Sequence, residues 1–202
     1  MSGFPRLYAI SDASFGNPVQ LARALFDGGA RLLQVRNKTA GARDFFAGVE
    51  QILAIAPEGS QVIVNDRVDI AAIAGASGVH LGQEDLPVDA ARRMLGARRI
   101  IGFSSHNFAQ AVQADGLPVD YIAVGPIFQT STKQSTDLVV GIEELGRICR
   151  AVRKPVVAIG GITLETAGSV IAAGAASVAV IRDLLAAPDI AARTREYCRV
   201  LG

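Results

Sequence analysis

Between Arg6 and Val200 a short run of Val, Ile, Leu and Ala is followed by a helix-length amphipathic run, and the pair recurs eight times. No linker, low-complexity tract or charge block interrupts the series. The strand-length runs are Arg6 to Ser11, Leu32 to Lys38, Gln61 to Asp66, Gly78 to Gly82, Arg99 to Ser105, Tyr121 to Ile127, Pro155 to Gly161 and Ser177 to Asp183. The helical pattern is clearest over Pro18 to Asp27, Arg43 to Ala56, Glu143 to Arg153 and Asp189 to Val200. Strands separated by helices pair in parallel, and a sheet covered on both faces tolerates the continuous apolar runs VIVND, YIAVGPI and PVVAIGG. Eight such units in 202 residues predict one closed α/β (β/α)₈ TIM barrel, a single domain over 1–202. A doubly wound open sheet is the alternative. Neither G-x-G-x-x-G after the first strand nor G-x-x-x-x-G-K-[ST] anywhere supports it.

Polar residues gather where these strands end: Gln34, Arg36 and Lys38 after the second, Asn65 and Asp66 after the third, Gln83, Glu84 and Asp85 after the fourth. Ser104 and Ser105 end the fifth, Thr130 to Lys133 follow the sixth, and Gly160-Gly161 ends the seventh. In a barrel all these ends meet at one mouth, where such enzymes place their chemistry. Helix capping accounts for some of the Asp, Ser and Asn, but not for Gln, Arg and Lys on one strand face.

Strand alternation projects Gln34, Arg36 and Lys38 from the same side, a clamp for an anion such as phosphate. An internal salt-bridge network with Asp66 and Asp85 is the competing explanation. Those two carboxylates suit a hard cation that completes its shell with phosphate oxygens and water, although Asp66 could cap a helix and Glu84 competes with Asp85. The stretch FQTSTKQSTDLVVG is longer than a usual βα loop and reads as a segment that closes over substrate, with a plain surface loop as the alternative. Gly160-Gly161 is either a second phosphate cradle or a tight turn. His80, in GVHLG, can point outward into the helix layer as a satisfied core histidine; His106 caps or supports the site as readily as it moves a proton. No Ser-His-Asp or Cys-His arrangement offers a nucleophile.

Charge narrows the partners. With 20 Lys and Arg against 19 Asp and Glu, a net charge of +1 provides no field for nucleic acid or an anionic membrane, so small molecules are expected. Cys149 and Cys198 are too isolated for a CxxC or zinc pattern. No apolar stretch reaches the roughly 18 to 20 residues of a membrane span, and no leader pattern precedes Arg6, so a cytoplasmic protein is expected.

Taken in order, QVRNK, VNDRVDIA, GVHLGQEDLP, GFSSH, YIAVGPIFQTSTK, VVAIGGI and SVAVI resemble the successive blocks of the thiamine-phosphate synthase family, from Leu7 to about Asp189. The resemblance implies a TIM-barrel transferase that joins 4-amino-2-methyl-5-pyrimidinylmethyl diphosphate to a phosphoethyl methylthiazole, carboxylated or not, and releases diphosphate. It implies pyrimidine-diphosphate contacts at Gln34, Val35, Arg36, Asn37, Lys38, Asn65, Ser104 and Lys133, with Arg36, Lys38, Lys133 and Ser104 acting on the leaving group. Mg²⁺ falls to Asp66 and Asp85. The thiazole phosphate falls to Thr130, Ser131, Thr132, Gly161, Ile181 and Arg182, and the protein is expected to be a monomer or homodimer.

The chain departs from the family pattern in places. Asn37 stands where Glu is common, on the face away from the clamp; Gln129 replaces a common Pro; Arg182 replaces a usual Ser at the thiazole-phosphate end. A thiazole tautomerase of the same family uses a His where this chain has Pro126, which cannot move a proton. A catalytically silent binding barrel would be expected to lose Lys133 or one of the Asp pair, and this chain retains them.

Overall fold

A computed structural model describes residues 4–130 and 138–202. Its strands are β1 (Leu7–Asp12), β2 (Leu32–Arg36), β3 (Gln61–Asn65), β4 (Gly78–Leu81), β5 (Ile100–Ser105), β6 (Tyr121–Val124), β7 (Val156–Ile159) and β8 (Ser177–Val180). They pair in parallel in chain order, and β8 pairs with β1 to close the barrel. The helices are α1 (Pro18–Asp27), α2 (Ala42–Ile55), α3 (Val68–Ala74), α4 (Val88–Leu95), α5 (Phe108–Asp115), α6 (Gly141–Ala151), α7 (Leu164–Ala172), α8 (Arg182–Leu185) and α9 (Ile190–Leu201). The expected TIM barrel is therefore present.

The sequence places the helix starts. Asn17 accepts the Val19 and Gln20 amide protons ahead of Pro18, Asn107 accepts that of Gln110, and Asp189 that of Ala192. Thr163 and Thr166 form a capping box at α7. Cys149 and Cys198 are free thiols on α6 and α9.

Several strands stop earlier than their apolar runs suggest. β2 ends at Arg36, so Lys38 belongs to the loop beyond it rather than to the strand. The runs ending at Ile127, Gly161 and Asp183 also leave the sheet early, and Asp183 lies in the short helix α8. Apolar side chains continue past the last ladder bond because the mouth loops pack back on the barrel.

Alternation divides the apolar residues into two cores. One fills the lumen with Tyr8, Ile10, Leu32, Ile63, Tyr121 and Val157; the other lies between sheet and helices, where Leu33, Val35, Val64 and Leu81 meet Leu25 and Ile52. Gly102 makes the lumen packing possible. A Cβ there would lie 2.0 Å from Cζ of Tyr121, inside the space that the ring occupies.

Gly102→Ala should therefore destabilise the protein by about 1–3 kcal/mol through overpacking. Gly48→Ala, at a position in α2 with nothing within 4 Å, should stabilise it by roughly 0.5–1 kcal/mol by removing unfolded-state freedom. Urea denaturation of the two variants should give opposite signs.

Candidate active site

The strand register brings the second and third strand ends to one rim. Gln34 is opposite Ile10 and Ile63, and Arg36 is opposite Asp12. Gln34 is buried, and its Nε2 donates to the Tyr8 hydroxyl at 3.0 Å. Arg36 Nη1 donates to Oδ2 of Asp12 at 2.5 Å, while Asp12 also accepts from the Ser14 amide and hydroxyl. Asp12 is only 2% exposed. A buried carboxylate with three donors holds the guanidinium in one place.

Lys38, just past the strand, donates to Asp66. The competing network is thus half realised: Lys38 takes Asp66, but Arg36 takes Asp12, a residue the sequence reading did not single out. Val35 and Asn37 do not bring side chains to this clamp. Val35 packs in the outer core, and the Asn37 amide oxygen accepts from Thr39 and from the Ala40 amide.

Asp66 is the positive-φ residue other than glycine among the described residues, at φ 62°. Left-handed backbone costs a non-glycine residue about 1 kcal/mol or more and clusters at functional sites. Here the Asp66 amide donates to the His80 carbonyl at 2.8 Å, and the turn sends its carboxylate to Lys38. Asp85 accepts from the Gly82 amide at 2.6 Å. Burial, and then the neighbouring Asp66 charge, raise the Asp85 carboxyl above the ordinary aspartate range. Glu84 is exposed.

Two carboxylates that repel one another form an all-oxygen donor set with the chemistry of a hard cation site. Among the described residues no group of three or more His, Cys, Asp or Glu could hold a metal. A cation here would therefore draw the rest of its shell from water and an anionic ligand.

Ser104 reaches the same mouth from β5. Its Oγ lies 2.9 Å from His80 Nε2, and His80 Nδ1 lies 2.9 Å from the Tyr121 hydroxyl. This corrects the outward placement of His80: its register partners are Asn65 and Gly102, and its ring stacks on Tyr121 inside the lumen. It remains a satisfied histidine. Asn65 is buried beside it. His106 Nδ1 lies 2.9 Å from the Gly125 carbonyl, a supporting contact under the sixth strand end.

On the opposite rim, Gly161 and Ile181 each follow by two residues the paired Ile159 and Ala179. Gly160 and Gly161 have φ 101° and 67°, and a Cβ would meet Pro126 Cα at 2.6 Å and Gln129 O at 2.5 Å, respectively. The close crossing of the segment after β6 requires both glycines, so the tight-turn reading has a direct physical basis. Arg182 opens α8 with its guanidinium 5.6 Å from the Phe15 ring centroid. Asp183 anchors that segment by pairing with Arg193 and accepting from the Leu164 amide and the Tyr197 hydroxyl. Thr130 is exposed; Ser131, Thr132 and Lys133 lie outside the described residues.

Asp12, Tyr8, Tyr121 and Asp183 are the functional candidates that sequence reasoning missed. Tyr8, Ile10 and Asp12 share one strand face, a signal that could have found Asp12.

The family model described as thiamine monophosphate synthase matches residues 7–184. A thiamine-phosphate synthase from Koribacter versatilis is 44% identical over 204 residues, covering 98% of this chain and 96% of the relative. One from Clostridium novyi is 38% identical over 199 residues, covering 96% and 98%. The solved thiamine phosphate pyrophosphorylase from Pyrococcus furiosus superposes with a TM-score of 0.89 at 33% identity, covering 98% of this chain and 95% of that one. The chain belongs to the thiamine monophosphate synthase family.

Proposed function

We propose that this chain is a thiamine-phosphate synthase that couples 4-amino-2-methyl-5-pyrimidinylmethyl diphosphate to a phosphoethyl methylthiazole. The observation that carries the reading is the single rim on which Asp12-pinned Arg36, Asp66-paired Lys38, the raised carboxyl of Asp85 and the Ser104 hydroxyl converge. The C–O bond at the pyrimidine methylene breaks, its electron pair leaves with diphosphate, and the ring amino group stabilises the resulting cation. The thiazole nitrogen lone pair then forms the new C–N bond. Such a reaction needs stabilised leaving-group charge and excluded water, without a protein nucleophile.

In this reading Arg36, Lys38 and Lys133 balance charge on the departing diphosphate, and Ser104 donates a hydrogen bond to it. Gln34, held through its Nε2 by Tyr8, keeps its amide oxygen to accept from the ring amino group. Asp66 and Asp85 would hold Mg²⁺, which when bound would supply Lewis-acid stabilisation of phosphate oxygens. The thiazole phosphate belongs between Gly161 and the start of α8, with Thr130, Ser131 and Thr132 alongside, and Arg182 extends that site.

We place the enzyme in the cytosol, as a monomer or homodimer. Among the described residues no helix is long and apolar enough to cross a membrane. Pro126 offers no group for the tautomerase reaction.

Purified protein given Mg²⁺ and both substrates should form thiamine monophosphate and diphosphate, followed by chromatography; no product would sink the reading. Asp66→Asn and Lys133→Ala should each lower kcat by about 100-fold or more, the scale for losing transition-state charge stabilisation. Chelating divalent metal should abolish turnover, and full activity after chelation would overturn the metal assignment.

A pH dependence follows from Asp85. Its carboxyl is raised above the usual aspartate value of 3.8, so a proton competes with a cation at higher pH than at an ordinary aspartate. Divalent-cation affinity, measured by calorimetry, should fall as pH drops through that raised value. Asp66→Asn removes the repelling charge, so carbon NMR of the Asp85 carboxyl in that variant should show titration nearer the ordinary range.

A further inference from the structure

A line of hydrogen bonds crosses the barrel lumen from Gln34 to Ser104. Gln34 Nε2 meets the Tyr8 hydroxyl at 3.0 Å, Tyr8 meets Tyr121 at 2.9 Å, Tyr121 meets His80 Nδ1 at 2.9 Å, and His80 Nε2 meets Ser104 Oγ at 2.9 Å. The members come from five different strands, so no sequence spacing encodes the line. Tyr8 and Tyr121 are 1% and 0% exposed. Burial holds both phenols well above the usual tyrosine range, so each keeps its single proton.

Those protons can be arranged consistently in one direction. An amide nitrogen only donates, so the Tyr8 oxygen accepts from Gln34, and its own proton turns to the Tyr121 oxygen. Tyr121 must then donate to His80 Nδ1. A neutral imidazole that accepts at Nδ1 carries its proton on Nε2, which donates to Ser104. The Ser104 proton is left pointing away from His80, toward the mouth. The reverse order would aim a Tyr8 or Gln34 proton at another donor between two buried side chains, which costs a buried hydrogen bond. Packing holds the rings in place: His80 stacks on Tyr121 at 5.6 Å and 17°, Tyr8 meets Tyr121 edge-on at 84°, and Gly102 leaves the space.

We infer that Tyr8, Tyr121 and His80 are positioning residues which lock His80 as the Nε2–H tautomer and oblige Ser104 to present a hydrogen-bond donor to the anionic ligand at the mouth. A serine hydroxyl can otherwise turn either its proton or its lone pairs outward. Only the proton stabilises a group gaining negative charge. The kinetic consequence rests on the proposed role of Ser104 at the leaving diphosphate; the tautomer does not.

The first test is nitrogen NMR of the full chain labelled with ¹⁵N-histidine, without substrate, near pH 7. With two histidines in the chain, a His80→Gln variant assigns the signals. His80 should be protonated at Nε2 and bare at Nδ1; protonation at Nδ1, alone or in addition, overturns the inference whatever the activity. The second test is kinetic. Tyr121→Phe should lower kcat about tenfold and move KM for the pyrimidine diphosphate less than about twofold, since the lost alignment matters as charge develops. In a Ser104→Ala background the same change should cost nothing further, whereas an additive loss overturns the positioning role. Tyr8→Phe repeats the test should Tyr121→Phe fail to fold.

Discussion

Closing eight parallel strands leaves room inside for alternate side chains only, and in this protein several of them are polar and must be satisfied without bulk water. That requirement organises the centre of the molecule. Tyr8 and Tyr121, brought together from 113 positions apart, bond through their hydroxyls at 2.9 Å. Their neighbours are the groups able to complete the line, an amide on one side and an imidazole on the other. A buried polar network is favourable only when every member is paired, which makes this one rigid. Gly102 is part of the same solution, since any larger residue would occupy the place of the Tyr121 ring.

The mouth is built on that rigid floor by pairing charges between neighbouring strand ends. Asp12 on β1 fixes Arg36 on β2, and Asp66 after β3 takes Lys38 after β2. These pairs differ in character. The Asp12 side chain is 3% exposed and its partner 23%, so the pair sits in low dielectric and its geometry is well determined. Lys38 is 54% exposed, so its pair is screened and readily exchanged for another anion. Asp85, raised by burial and by Asp66, accepts from the Gly82 amide and makes no ion pair within 4 Å among the described residues. One cation is therefore fixed and the other more easily exchanged. In the proposed function this arrangement takes a ligand that brings anionic oxygens together with a metal.

Much of this is legible in the sequence. The Gln34, Arg36 and Lys38 series, Asn65-Asp66 and Asp85 all stood out as polar ends of apolar runs. Lys38 still reaches the rim although β2 stops at Arg36, because two more residues of loop carry it toward Asp66. Val35 and Asn37 lie between the clamp residues in sequence, yet the pleat turns Val35 into the outer core, and Asn37, just past β2, turns its amide oxygen to Thr39 and Ala40, away from the clamp as its position predicts. Gly160 and Gly161 read equally as a phosphate cradle or a tight turn in the sequence, and the close approach of Pro126 and Gln129 gives the turn its packing reason.

By itself the sequence determined the architecture and the chemistry available at the mouth. The period of apolar and amphipathic runs is a local property, and the residue types at strand ends follow from it. Which face of each strand is the lumen was a different matter. A strand that is apolar on both sides carries no local sign of inside and outside, so His80 could be read as pointing into the helix layer. Closure decided it by setting the registers of Asn65, His80 and Gly102 across β3, β4 and β5. Asp12 acquired its role in the same way, from its register opposite Arg36. The line from Gln34 to Ser104 exists only once the ends of the sheet meet, because hydrogen bonds of about 3 Å between residues this far apart in sequence require the whole barrel to hold them.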